Sequence, residues 1–159
     1  MRTLLVPIDF GDASNLVVEK AGELARELPA RIFLLHVDEP RAYATLGDAA
    51  TLAAWPLQTP KRISKLKARL TTLANPLRAS GIKVDSVAIV GLVVDDILEQ
   101  AQKYRADYII LGSHGHLSAR HLFSGNVFAG ILKGPTCPVI VVPVKPSGLH
   151  NSGLRLRMH

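Results

Sequence analysis

The chain has 159 residues, of which 48% are hydrophobic and 20% charged, with a formal net charge of +6. This length suits one domain with a sizeable core, and this composition excludes a disordered chain. The single cysteine excludes an internal disulfide framework, and no apolar stretch is long enough for a signal peptide or a membrane span. We therefore expect one cytoplasmic domain over residues 1–144, followed by a basic and flexible tail over 145–159.

Five short apolar runs predict buried strands. They cover residues 3–8, 31–37, 84–90, 106–111 and 139–144. Between them lie segments whose apolar residues recur three and four apart, which predicts four amphipathic helices. Pro29 ends the first helix, Pro76 kinks or ends the second near residue 75, the third covers about 93–105, and the fourth follows Gly125. Strands that alternate with helices in this way predict an α/β fold with a mostly parallel sheet.

Two segments show no clear functional pattern. Residues 39–60 contain three prolines around an alanine-rich stretch, and we expect a variable connecting loop there; a lid, a short extra helix and a partner contact are the alternatives. Residues 61–84 carry seven lysines and arginines and no acidic residue. A solvated helix face is the simpler interpretation of this charge, with a docking surface for acidic partners as the alternative, so we expect neither a nucleic-acid nor a membrane partner.

The most informative stretch covers residues 111–142. A hydrophobic run stops at Gly112, and further glycines follow at Gly115 and Gly125. A strand that ends in a glycine-spaced loop and leads into a helix presents free backbone N–H groups to an anion. The Walker loop and the dinucleotide fingerprint are both absent, because the chain has neither Gly-Lys-Ser/Thr nor the tight GxGxxG spacing. The stretch therefore predicts a phosphate cradle of another kind.

The spacing G-x2-G-x9-G of these glycines occurs together with Pro7-Ile8-Asp9 and with the segment PTCPV at 135–139. This combination resembles the universal stress protein family, in particular its ATP-binding branch, over about residues 2–144. The resemblance implies a single open, doubly wound, five-stranded parallel sheet of order 3-2-1-4-5 with helices on both faces. The implied fold is Rossmann-like, of the adenine nucleotide alpha hydrolase type. The order creates a switch point between the first and fourth strands, where Asp9 and Gly112 flank one crevice.

The resemblance also implies two groups of nucleotide-binding residues. Those that hold the adenosine part are Pro7, Ile8, Asp9 and Val37. Those that line or close over the phosphates are Gly112, Ser113, His114, Gly115, His116, Gly125, Asn126 and Val127. Charge favours the same division, because a carboxylate repels phosphates but accepts hydrogen bonds from a ribose hydroxyl or a base amine. Asn126 stands where the family has Ser or Thr, so ATP, ADP and AMP all remain candidate ligands. Mg²⁺ would be held mainly by the phosphates.

The sequence provides no convincing catalytic set. It has no nucleophile elbow and no lysine in the glycine loop. His114, His116 and His121 are weak candidates for a metal site, because no cysteine or well-placed carboxylate accompanies them. We expect an adenine-nucleotide-binding stress-response protein that acts as a regulatory or protective module. The alternatives are a slow ATPase or self-phosphorylating protein at the same site, and a docking module that has lost nucleotide binding.

The last predicted strand carries a partner prediction. In the order 3-2-1-4-5 it lies at an open edge, and exposed apolar edges tend to pair with another chain. The resemblance implies a two-fold homodimer formed there. The residues concerned are Val139, Ile140, Val141 and Val142.

Overall fold

The computed structural model of the protein describes residues 1–11, 13–39, 49–113 and 125–144, and among these it describes 49–59, 125 and 126 by their backbone alone. This part of the chain forms a five-stranded sheet of order β3-β2-β1-β4-β5, in which all neighbouring strands pair in parallel. The predicted fold class and strand order are therefore confirmed. The strands are β1 (Arg2–Pro7), β2 (Ala30–Asp38), β3 (Val84–Val90), β4 (Tyr108–Gly112) and β5 (Val139–Val142).

The helices in the described ranges cover both faces of the sheet. They are α1 (Ser14–Glu27), α2 (Ala49–Ala79), α3 (Val93–Lys103) and α4 (Gly125–Lys133). The apolar stripes of α1 and α2 pack on one face, and those of α3 and α4 pack on the other. No helix of the described chain combines the length and the apolar character that crossing a bilayer requires.

The central strand β1 shows how the sequence builds two cores. Leu4 and Val6 are buried on the face covered by α1 and α2, and Leu5 is buried on the opposite face. Successive side chains of a strand point to opposite faces, so a strand covered on both sides must be apolar throughout. This is why the first apolar run has no polar alternation.

The second helix differs from its prediction at both ends. It begins at Ala49 rather than near residue 61, so most of the expected connecting loop is helical, in agreement with the high helix propensity of its alanines. It also continues past Pro76 to Ala79. Ala74 and Leu77 are buried in the core, and this burial offsets the backbone hydrogen bond that proline removes. Residues 40–48 and the predicted tail 145–159 lie outside the described residues.

Candidate functional site

The carboxyl ends of β1 and β4 lie side by side at the centre of the sheet. Leu5 pairs with Ile109, so Ile8 and Gly112 follow three residues further along their strands. After β1 the chain turns towards β2, whereas after β4 it leads to β5 on the other side. This is the topological switch point at which ligands bind in open α/β sheets.

A narrow cavity lies at this edge of the sheet. It is bordered together by Pro7, Ile8, Asp9 and Val37, the four residues expected to hold an adenosine. The rest of its described lining is apolar and consists of Leu35, Val93 and Ile97. Asp9 is the one charged residue in this described lining. The fold brings these four residues together, three of them from β1 and its end and the fourth from β2.

The carboxylate of Asp9 is oriented by the turn into α1. Its Oδ1 accepts a hydrogen bond from the Gly11 N–H at 2.8 Å and one from the Ser14 hydroxyl at 3.1 Å. Among the described residues no donor reaches Oδ2. Ser14 is the first residue of α1, and the cap position is Ala13, without a side-chain cap bond. The hydroxyl of Ser14 thus holds Asp9 rather than the helix end.

His36 joins the ends of β1 and β2, a role that the sequence did not reveal. Its ring is buried, and its Nδ1 lies 2.7 Å from the carbonyl oxygen of Ile8. Nδ1 must carry the proton to donate this bond. Burial lowers the pKa of His36 despite the opposing effect of that bond, so the ring stays neutral near pH 7. A buried neutral histidine therefore fixes the residue immediately before Asp9.

A partly buried ion pair supports the neighbouring end of β2. Asp38 follows Val37 and is 1% exposed, and its carboxylate oxygens accept hydrogen bonds from Nε and Nη2 of Arg62 at 2.5 and 3.0 Å. The carbonyl of Asp38 accepts the Gly91 N–H at 3.1 Å. The basic run at residues 61–84 predicted a solvated helix face that included Arg62, and this prediction does not hold for Arg62. The signal that it missed was an aspartate at the end of an apolar strand, since a buried carboxylate needs a partner.

The end of β4 is bonded to the edge strand. The Ser113 N–H donates to the Val142 carbonyl at 2.8 Å, and the Ser113 hydroxyl accepts the Val144 N–H at 2.9 Å. Ser113 thus lies beside Gly112 at the switch point, but its backbone N–H is engaged with the strand on the other side.

The remaining phosphate candidates are described in part. Gly125 and Asn126 are the first two residues of α4, and the side chain of Val127 is buried in the core beneath the sheet. His114, Gly115 and His116 lie outside the described residues, as does His121. Within the described ranges, no group of three or more His, Cys, Asp or Glu side chains is arranged to hold a metal ion.

These features define an open α/β domain with a narrow cavity at its switch point. The chain matches the Universal stress protein family over residues 1–143, and it belongs to that family. It is 32% identical over 131 residues to universal stress protein A homolog 2 of Coxiella burnetii, which covers 82% of this chain and 86% of the relative. It is also 25% identical over 158 residues to universal stress protein MJ0577 of Methanocaldococcus jannaschii, covering 92% of this chain and 97% of that protein.

Solved structures share the fold. The structure of MJ0577 has a TM-score of 0.75 at 24% identity and covers 92% of this chain and 98% of its own. A universal stress protein solved in complex with cAMP has a TM-score of 0.62 at 22% identity, with 89% and 96% of the two chains covered. A structural neighbour within the family therefore binds a nucleotide.

Proposed function

We propose that the protein binds an adenine nucleotide at the carboxyl ends of β1 and β4, as a member of the ATP-binding branch of its family. In this proposal it acts in the cytoplasm as a nucleotide-dependent regulatory or protective module rather than as a fast enzyme. The observation that carries the proposal is the single cavity bordered by Pro7, Ile8, Asp9 and Val37. The cAMP complex of a structural neighbour supports the ligand class.

The chemistry of the cavity fits the adenosine part of such a ligand. The cavity itself is narrow, with a volume of about 10 Å³, so a purine ring would lie across its mouth against the apolar lining. The Oδ2 atom of Asp9 would there accept hydrogen bonds from ribose hydroxyls or the base amine. Because Gly11 and Ser14 already fix this carboxylate, binding does not have to order it.

The phosphates would lie on the β4 side, away from the carboxylate of Asp9. The proposed contacts there are backbone N–H groups of the glycine loop and the side-chain amide of Asn126, with Mg²⁺ held mainly by the phosphates. The residues in this group are Gly112, Ser113, His114, Gly115, His116, Gly125, Asn126 and Val127.

Calorimetric titration of ligand-free protein with ATP, ADP and AMP, with and without Mg²⁺, tests the proposal. We expect micromolar binding of at least one of them. Asp9→Asn keeps an acceptor for the Gly11 N–H but replaces the accepting Oδ2 by an NH₂ donor. The ligand then loses its hydrogen bond to a charged group, which should weaken nucleotide binding by about tenfold or more. Gly115→Val would obstruct the glycine loop and should weaken nucleotide binding further.

Asp107→Asn is the matched control for that titration. It removes the same charge, but Asp107 accepts the Thr3 N–H at the amino-terminal ends of β1 and β4, on the far side from the cavity. Nucleotide affinity should therefore stay unchanged. Absence of binding for all three nucleotides would overturn the proposal. Equal losses in the two Asp→Asn variants would show that the carboxylate of Asp9 makes no contact with the ligand.

We also propose that two copies of the chain pair through β5 as a homodimer. In the described sheet β5 pairs with β4 alone, and Val141 is 39% exposed on this apolar edge strand. Sedimentation of Val141→Lys should give a monomer, whereas Val141→Thr, which keeps the strand preference without a charge, should remain dimeric. A dimeric Val141→Lys protein would exclude this edge as the interface. The contact would comprise Val139, Ile140, Val141 and Val142.

A further inference from the structure

A second groove lies on the other side of the turn between β1 and α1. Its volume is about 280 Å³, close to the lower end of the roughly 300–1,000 Å³ typical of small-ligand sites. It shares no described lining residue with the cavity around Asp9. The turn, α1 and α2 contribute its lining, which consists of Phe10, Gly11, Ser14, Asn15, Arg69, Thr72 and Leu73.

Arg69 is the charged residue of this described lining. Its guanidinium carbon lies 3.9 Å from the centre of the Phe10 ring, over its face, and the side chain is exposed. Other arginines of α2 have acceptors: Arg62 binds Asp38, and Arg78 binds the carbonyl of Val84. No acceptor for Arg69 exists among the described residues. Stacking restrains the guanidinium and leaves its N–H edges free to donate. Binding a ligand there would therefore cost little of the conformational entropy of the Arg69 side chain.

Phe10 has an unusual backbone conformation. Its φ is 60°, in the left-handed region that a bulky residue rarely adopts. The aromatic ring contacts His36, at 4.6 Å between ring centres, as well as Arg69. Glycine would adopt this backbone without strain. Strained residues of this kind concentrate at ligand sites, and here the strain places an aromatic ring beneath the only cation of the described groove lining.

We propose that this groove binds a small monocarboxylate with an apolar or aromatic part. The planar carboxylate would accept two hydrogen bonds from the edge of Arg69, a geometry that guanidinium groups favour. The apolar part would lie against Leu73, and the polar groups of Asn15 and Thr72 would border it. A doubly charged phosphate fits less well, because Asp9 bonds to both Gly11 and Ser14 at the groove wall and adds a negative charge there. The two sites have different lining residues, and they adjoin through the bonds of Gly11 and Ser14 to Asp9.

An NMR titration of ¹⁵N-labelled protein with benzoate, acetate and inorganic phosphate tests the groove. We expect benzoate to shift the amide signals of Gly11, Asn15 and Leu73 saturably at millimolar concentration. Acetate should bind more weakly, because it lacks the apolar part, and phosphate should leave these signals unchanged. Preferred binding of phosphate would contradict the proposed ligand class.

Two substitutions of α2 separate the groove from the general basic face of the helix. Arg69→Gln should lower the affinity for benzoate by about tenfold or more, as expected when a bidentate hydrogen bond to a charged group is lost. Lys65→Gln removes the same charge one turn earlier, from an exposed side chain that does not line the groove, and should leave benzoate affinity unchanged. Equal weakening by the two variants would overturn the proposal, because it would show non-specific attraction.

A third substitution tests the position of the ligand without changing any charge. Thr72 is exposed on the groove wall, and Thr72→Tyr would fill the space beside Arg69. Benzoate shifts should disappear in this variant while its thermal unfolding stays close to that of the parent protein. Saturable benzoate binding that survives Thr72→Tyr, or no saturable binding to the parent protein, would show that the groove is not a carboxylate site.

Discussion

The two strand ends that meet at the switch point are held by different means. The end of β1 is fixed by side chains from neighbouring elements, since His36 bonds to Ile8 and Ser14 bonds to Asp9. The end of β4 is fixed through Ser113, whose backbone continues the pairing with β5. One side of the crevice thus depends on buried side chains and the other on bonds at the sheet edge. Removing one of the bonding side chains should therefore destabilise the protein more at the end of β1 than at the end of β4.

The largest effect is expected from His36→Leu. Leucine fills much of the buried space but leaves the carbonyl of Ile8 without its donor, and an unsatisfied buried polar group costs about 1–3 kcal/mol. Urea unfolding at pH 7.5 should show a lower midpoint with an unchanged slope against urea concentration. A variant as stable as the parent protein would mean that the bond between His36 and Ile8 does not hold the strand end.

The same variant should change the pH dependence of stability. Burial lowers the pKa of His36 below its ordinary value of 6.5, so between these two pKa values the unfolded chain binds more protons than the folded one. The free energy of unfolding therefore falls as the pH drops below about 6.5, by at most about 1.4 kcal/mol per pH unit. The ring also feels the charges of Asp38, Asp9 and Arg69, which all remain in His36→Leu. If the variant loses this dependence of stability on pH, the dependence is due to His36. Parallel pH profiles would assign it elsewhere.

A smaller effect is expected from Ser113→Ala. The hydroxyl of Ser113 accepts the Val144 N–H in a partly buried bond, and water can replace it in part, so the loss should be about 1 kcal/mol or less. The exposed Ser64 in α2 provides the control, because Ser64→Ala removes a hydroxyl where alanine favours the helix. A loss larger than that of His36→Leu would reverse the comparison between the two strand ends.

The sequence predicts the position of these four cavity residues because the relevant signals are local. Pro7, Ile8 and Asp9 adjoin one apolar run, and Val37 belongs to the next, so the parallel arrangement alone brings them to one edge. The strand order itself came from the resemblance to the family, and the observed sheet confirms it.

The contacts that fix the crevice could not be predicted in the same way. His36 and Ile8 are 28 residues apart, and Arg62 and Asp38 are 24 apart, so only the packed sheet reveals that they meet. The pairing of Arg69 with Phe10 depends on a positive φ that no local pattern indicates. Pro76 shows the opposite case, in which a sound local rule gives way to the burial of Leu77 beyond it.

The position of β1 at the centre of the sheet has a consequence for synthesis on the ribosome. Thr3 donates its N–H to Asp107, 104 residues later, and β1 then pairs with β4. When β3 has emerged, one edge of β1 is already paired with β2, but its other edge has no strand to pair with until β4 follows. A nascent chain at this stage exposes an apolar strand that the finished fold hides. Slower emergence of β4 after β3 should therefore lengthen the time for which that strand is open to misassembly with neighbouring chains.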